Sequence, residues 1–158
     1  MSDPGNLRTF LVVVDNSVEM PVALYYASRR ARRTGGRVAM LHVIRREEIH
    51  GLASVAALIR EEALQEAEQL LQRLAVTVTE ETGTPPALYI REGVPSEEVV
   101  NFVNNDPTVS ILVLAAGTGP DGPGPLISYL AGRSMWKLRV PLTIVPGSLS
   151  HEQIDAIT

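Results

Sequence analysis

Residues 109–125 read Val-Ser-Ile-Leu-Val-Leu-Ala-Ala-Gly-Thr-Gly-Pro-Asp-Gly-Pro-Gly-Pro. The unbroken apolar run Ile111 to Ala116 is too short for a buried helix and has no polar alternation, so it predicts a strand covered on both faces. It empties into a loop with glycines at 117, 119, 122 and 124. Glycine permits positive φ and close approach to a ligand. Strand, glycine loop and helix in that order are how α/β proteins commonly hold phosphate groups. A flexible connection at a sheet edge is the competing reading of the same loop.

Working outward, Thr9 to Asp15 is a second apolar run, β-branched and closed by an acid. Asn16 or Ser17 is placed to cap a helix whose apolar residues recur at 20, 23, 24, 27 and 31, and Gly35-Gly36 ends it. Arg37 to Ile44 is a further buried strand, followed by a polar loop over 45–53. The spacing predicts a long helix from about Ser54 to Glu81. Pro85-Pro86 breaks the chain before a strand over Ala87 to Arg91. A helix then opens at Gly93-Val94-Pro95-Ser96-Glu97-Glu98 and closes at Asn104 to Pro107. After the glycine loop, apolar residues at 126, 127, 130, 131, 135 and 138 predict one helix from Pro125 to Leu138. Leu142 to Val145 is the fifth strand, and 148–158 reads as a polar tail. Five strands alternating with four helices imply an α/β fold, with an open parallel sheet and helices on both faces.

The chain has 158 residues, enough for one domain that buries roughly 70% of its unfolded surface. It has no cysteine, which excludes disulfides, thiolate metal sites and a cysteine nucleophile. No secretory signal and no apolar run of membrane-spanning length is present, so a soluble, cytoplasmic protein is expected. A net charge of −4 argues against a general nucleic-acid binder. Arg29, Arg30, Arg32 and Arg33 with Arg37, Arg45 and Arg46 hold half the chain's 14 basic residues. They read as the solvated face of the first helix, since no stacking platform accompanies them.

In an open parallel sheet, ligands bind beyond the carboxyl ends of the strands, where strand order reverses. Asp15, the segment His42-Val43-Ile44 and the loop after the fourth strand should meet there. His42 lies in a predicted buried strand and reads as a hydrogen-bonded core residue. No serine-nucleophile motif and no metal-ligand spacing is found, and no catalytic residue is assigned.

The order Phe-Leu-Val-Val-Val-Asp-Asn-Ser, Val-Ala-Met-Leu-His-Val-Ile, a long helix, Ile-Arg-Glu-Gly-Val-Pro-Ser-Glu-Glu-Val-Val, Ile-Leu-Val-Leu-Ala-Ala-Gly and Val-Pro-Leu-Thr-Ile-Val-Pro resembles the universal stress protein family over roughly residues 8 to 147. The resemblance implies a Rossmann-like sheet of order 3-2-1-4-5, a homodimer often paired along strand 5, and a stress-linked role. One branch of that family binds ATP or another adenine nucleotide, with Mg²⁺; another binds none and acts as a dimeric interaction module. The binding branch carries G-x2-G-x9-G followed by Ser or Thr, and Gly119, Gly122 and Gly132 fall at that spacing. Carried over, Asp15 and Val43 would frame base and ribose. Gly117, Gly119, Asp121, Gly122, Gly132, Arg133 and Ser134 would lie near the phosphates.

The chain departs from the pattern at Arg133, which stands where the hydroxyl residue belongs, and at Asp121, where histidine is frequent. Pro120, Pro123 and Pro125 remove amide donors. Both branches therefore stay open, and hydrolysis would be slow without a P-loop lysine or a placed base. A role as an enzyme of the wider nucleotide α-hydrolase-like group would need an acceptor site that the sequence does not show.

Overall fold

A computed structural model describes residues 7–158. Five parallel strands, β1 (Thr9–Val13), β2 (Arg37–Arg45), β3 (Ala87–Gly93), β4 (Val109–Ala116) and β5 (Leu142–Pro146), form one sheet in the order β3-β2-β1-β4-β5. This is the expected Rossmann-like order. The helices are α1 (Met20–Thr34), α2 (Ala53–Thr82), α3 (Pro95–Asn105), α4 (Pro125–Leu130) and α5 (His151–Ile157).

Strand periodicity sorts the core into two layers. Leu11, Val13, Ala39, Leu41, Val43, Leu112 and Leu114 face α3 and α4, where they meet Val99, Phe102, Val103, Ile127 and Leu130. Phe10, Val12, Val14, Val38, Met40 and Val113 face the other way, onto Ala23, Leu24, Ala27 and Ala31 of α1 and Leu71 and Val78 of α2. The near-continuous apolar strands are explained by this two-sided covering. Helix α2 spans 30 residues, about 45 Å at an α-helical rise, and buries only Ala67, Leu71 and Val78. Its apolar positions Val55 and Leu58 are exposed, so helical periodicity alone overstated its buried face.

Three expectations need correction. Helix α1 begins at Met20, with Glu19 rather than Asn16 or Ser17 at its N-cap. Ser17 instead donates both its N–H (2.9 Å) and its Oγ–H (2.5 Å) to Asp15 Oδ1, closing an Asx turn.

The single helix expected over Pro125 to Leu138 ends at Leu130, and Gly132 and Ser134 lie in a turn before a short 3₁₀ segment, Met135–Lys137. Residues Lys137 and Arg139, anchored to the end of α3, account for the early stop. Arg139 donates to the carbonyls of Val103, Asp106 and Val109, and Asn104 bridges Lys137 O and the Arg139 N–H. Tying this segment to the end of α3 satisfies orphan helix carbonyls and pulls the chain off the α4 axis. Arg139→Met should therefore cost about 1–3 kcal/mol in urea unfolding, as expected for lost charge-assisted bonds at a partly exposed site.

The supposed tail at 148–158 contains α5. A capping box joins Ser150 and Gln153, and Ile154 is fully buried. The helix docks on α1 through Tyr25, whose ring stacks on His151 at 3.8 Å and whose O–H donates to Asp155 (2.7 Å), while Arg29 pairs with Asp155 at 3.0 Å. The hydrogen bond to Asp155, then burial and the nearby carboxylate, raise the Tyr25 phenol above its ordinary 10.0. Stability from this bond is complete below about pH 10 and is lost as pH rises through the raised folded value. Above pH 10 the wild type should lose stability more steeply than Tyr25→Phe, as read by urea unfolding at stepped pH.

Candidate functional site

Strand order reverses at β1, with β2 on one side and β4 on the other. Beyond their carboxyl ends lies a cleft of about 750 Å³, within the usual range for small-molecule sites. Its inner wall is apolar, built from Val13, Val14, Met20, Ala23, Leu114, Ala115 and Ile127. Asp15, Val43, His42, Arg45 and Ser96 add polar groups, and the segment Pro123-Gly124-Pro125 closes one side. A second hollow of about 850 Å³ lies between α2 and β3. It faces the flank of the sheet rather than the strand ends, so topology favours the first.

Two features of the cleft come directly from the strands. The Val14 N–H donates to Leu41 O (2.8 Å), the last backbone link between β1 and β2. In a parallel ladder, residues two apart point their backbone groups to the same side. Val43 therefore turns its N–H and C=O toward the gap left beyond the end of β1. The Val14 carbonyl is occupied by His42 Nδ1 at 2.7 Å. Because a carbonyl only accepts, Nδ1 carries the proton, and Nε2 is the ring nitrogen left for other partners. Second, the Asx turn fixes the Asp15 carboxylate through Oδ1 and leaves Oδ2 without a partner among the described residues.

The structure thus brings Asp15 and Val43 to one cavity. Gly117, Gly119, Asp121, Gly122, Gly132, Arg133 and Ser134 do not border it among the described residues. The loop is folded on itself: Gly117 N–H donates to Pro123 O (3.0 Å) and Gly122 N–H to Gly119 O (3.3 Å). At Gly117 a Cβ would lie 2.9 Å from Gly122 O, so this closure requires glycine. Gly124 sits at φ +111°, where it swings the chain from the loop into α4. Ser134 is buried, whereas Gly132 and Arg133 are exposed beyond α4.

Sequence reasoning missed Glu19, Arg45, Glu47, Glu48 and Ser96 at the cleft, and it placed His42 in the core. The available signal was position: each lies at or beyond a strand's carboxyl end or opens the next helix. Among the described residues no group of three or more His, Asp or Glu side chains is placed to hold a metal ion. No described helix is long and apolar enough to cross a membrane.

An open parallel sheet with a cleft at its reversal point defines a doubly wound α/β protein, a class whose ligands lie in this crevice. The model of the universal stress protein family matches residues 6–146, and the chain belongs to that family. The fold is similar to that of universal stress protein UspA from Lactobacillus plantarum, with a TM-score of 0.69 at 20% identity, covering 87% of this chain and 97% of that one. A universal stress protein from Archaeoglobus fulgidus in complex with dAMP gives a TM-score of 0.60 at 19% identity, covering 87% and 97%. A family protein from Arabidopsis thaliana with AMP bound gives 0.60 at 16%, covering 88% and 91%. No curated protein matches the sequence significantly.

Proposed function

We propose that the cleft binds an adenine nucleotide, with the adenosine moiety between Asp15 and the Val43 backbone. The observation that carries this reading is the pairing of a pre-set carboxylate acceptor, Asp15 Oδ2, with an unused strand-end N–H and C=O at Val43, in one largely apolar cavity. An amino group or ribose hydroxyl suits the carboxylate. A flat heterocycle suits the wall of Val14, Leu114 and Ile127. The dAMP and AMP complexes of the structural relatives are consistent with this choice of ligand. With no metal cluster among the described residues, Mg²⁺ would arrive on the nucleotide phosphates.

The role is that of a stress-response binding protein working as a homodimer, with binding rather than turnover as its output. Calorimetric titration of nucleotide-stripped protein with ATP and Mg²⁺ tests the binding. Micromolar affinity is expected, and absence of heat together with no thermal stabilisation at millimolar ligand would overturn it. Light scattering tests the dimer.

The alternative is a dimeric interaction module with no nucleotide. Its supporting observation is Trp136, 80% exposed beside the exposed Met135. Against it, neither Pro120 nor Asp121 fills the cleft.

A further inference from the structure

Resting on the adenine reading of the cleft, we propose that this cavity selects the uncharged nucleoside, adenosine, over ligands carrying uncompensated phosphate. Four carboxylates, Asp15, Glu19, Glu47 and Glu48, border the cavity against a single guanidinium, Arg45. Arg45 already lies 3.8 Å from Glu47. Glu19 extends toward the loop: its Oε1 is 3.5 Å from where a Cβ on Gly117 would stand.

On the loop side, the donors that could offset this charge are withdrawn or missing. The Gly117 and Gly122 N–H groups are spent inside the loop. Pro123 and Pro125, which do border the cavity, have no N–H. Arg133 lies beyond α4 and does not border the cavity. A phosphate on the loop side of this cavity would meet carboxylate repulsion with no free Gly117 or Gly122 N–H to compensate it, whereas base and ribose meet an apolar wall and acceptors. A phosphorylated adenosine then enters only when a divalent cation covers its charge.

Calorimetry decides the point, using adenosine, AMP and ATP at low ionic strength with EDTA, then repeating with Mg²⁺ and with 0.5 M salt. Adenosine should bind at least tenfold more tightly than AMP in EDTA. Salt should narrow that gap by screening, and Mg²⁺ should restore ATP binding while leaving adenosine unchanged. Glu48→Gln, at an exposed rim position, should shift the AMP-to-adenosine affinity ratio about threefold toward AMP. AMP or metal-free ATP binding as tightly as adenosine would overturn this inference and leave the proposed function standing. Failure of all three ligands to bind would overturn the proposed function, and this inference with it.

Discussion

Replacing Asp15 by alanine should weaken adenosine binding by roughly 10- to 100-fold, the range expected when a hydrogen bond to a charged acceptor is lost. The carboxylate stands at the first turn beyond β1, where Ser17 holds it through Oδ1 alone. Alanine removes both the turn and the ligand's acceptor, so a second variant is needed to separate them. Asp15→Asn keeps an oxygen to receive the Ser17 donors and exchanges only the remaining carboxylate oxygen for an amide. If the asparagine variant unfolds like the wild type yet loses most of the affinity, Asp15 acts on the ligand. Unchanged affinity in both variants would remove Asp15 from the site. Titration calorimetry with parallel urea unfolding reads both effects.

Leu112→Ala should cost about 2–5 kcal/mol, a large part of the roughly 5–15 kcal/mol that holds a domain of this kind. Leu112 is fully buried in β4, in register with Leu11 on one side and Leu142 on the other. Its side chain belongs to the layer formed with α3 and α4, whose buried members include Val99, Val103 and Leu130. These neighbours sit on rigid elements that cannot collapse to refill the space, so the cavity term adds to the lost transfer energy. Urea unfolding should show a lower midpoint with an unchanged slope. A loss below about 1 kcal/mol, the lower edge of core-truncation costs, would mean that β4 is not the packed centre of the sheet.

The sheet was legible because its signals are local. Five short apolar runs, each closed by Gly, Pro or a charged residue, mark the strands, and their alternation with helices leaves few topologies. Helix boundaries were less legible wherever long-range contacts decide them. The apolar positions 131, 135 and 138 continue the period of α4, but Arg139 binds carbonyls at the end of α3, Asn104 of α3 holds Lys137 and Arg139, and the helix stops at Leu130. Nothing local to 125–138 announces that competition. Helix α5 was legible in principle, since Ser150 and Gln153 have capping-box spacing and Ile154 and Ile157 come after them, yet the polar composition hid it.

For the candidate site, Asp15 and Val43 come to one cavity because of where β1 and β2 stop. The residues matched by glycine spacing did not meet them at the cleft. Spacing within a loop does not determine which way the loop folds, and here it folds onto its own carbonyls. The charge of the rim was invisible for the same reason. Glu19, Glu47 and Glu48 lie on two separate connections that only the sheet brings to one opening.

The most direct test is a crystal structure of the protein grown with adenosine. Ligand density is expected in the cleft beyond β1 and β2, with a polar group of the nucleoside within about 3 Å of Asp15 Oδ2 and another on the Val43 backbone. Adenosine lodged in the hollow between α2 and β3, or an empty cleft at saturating ligand, would contradict the assignment.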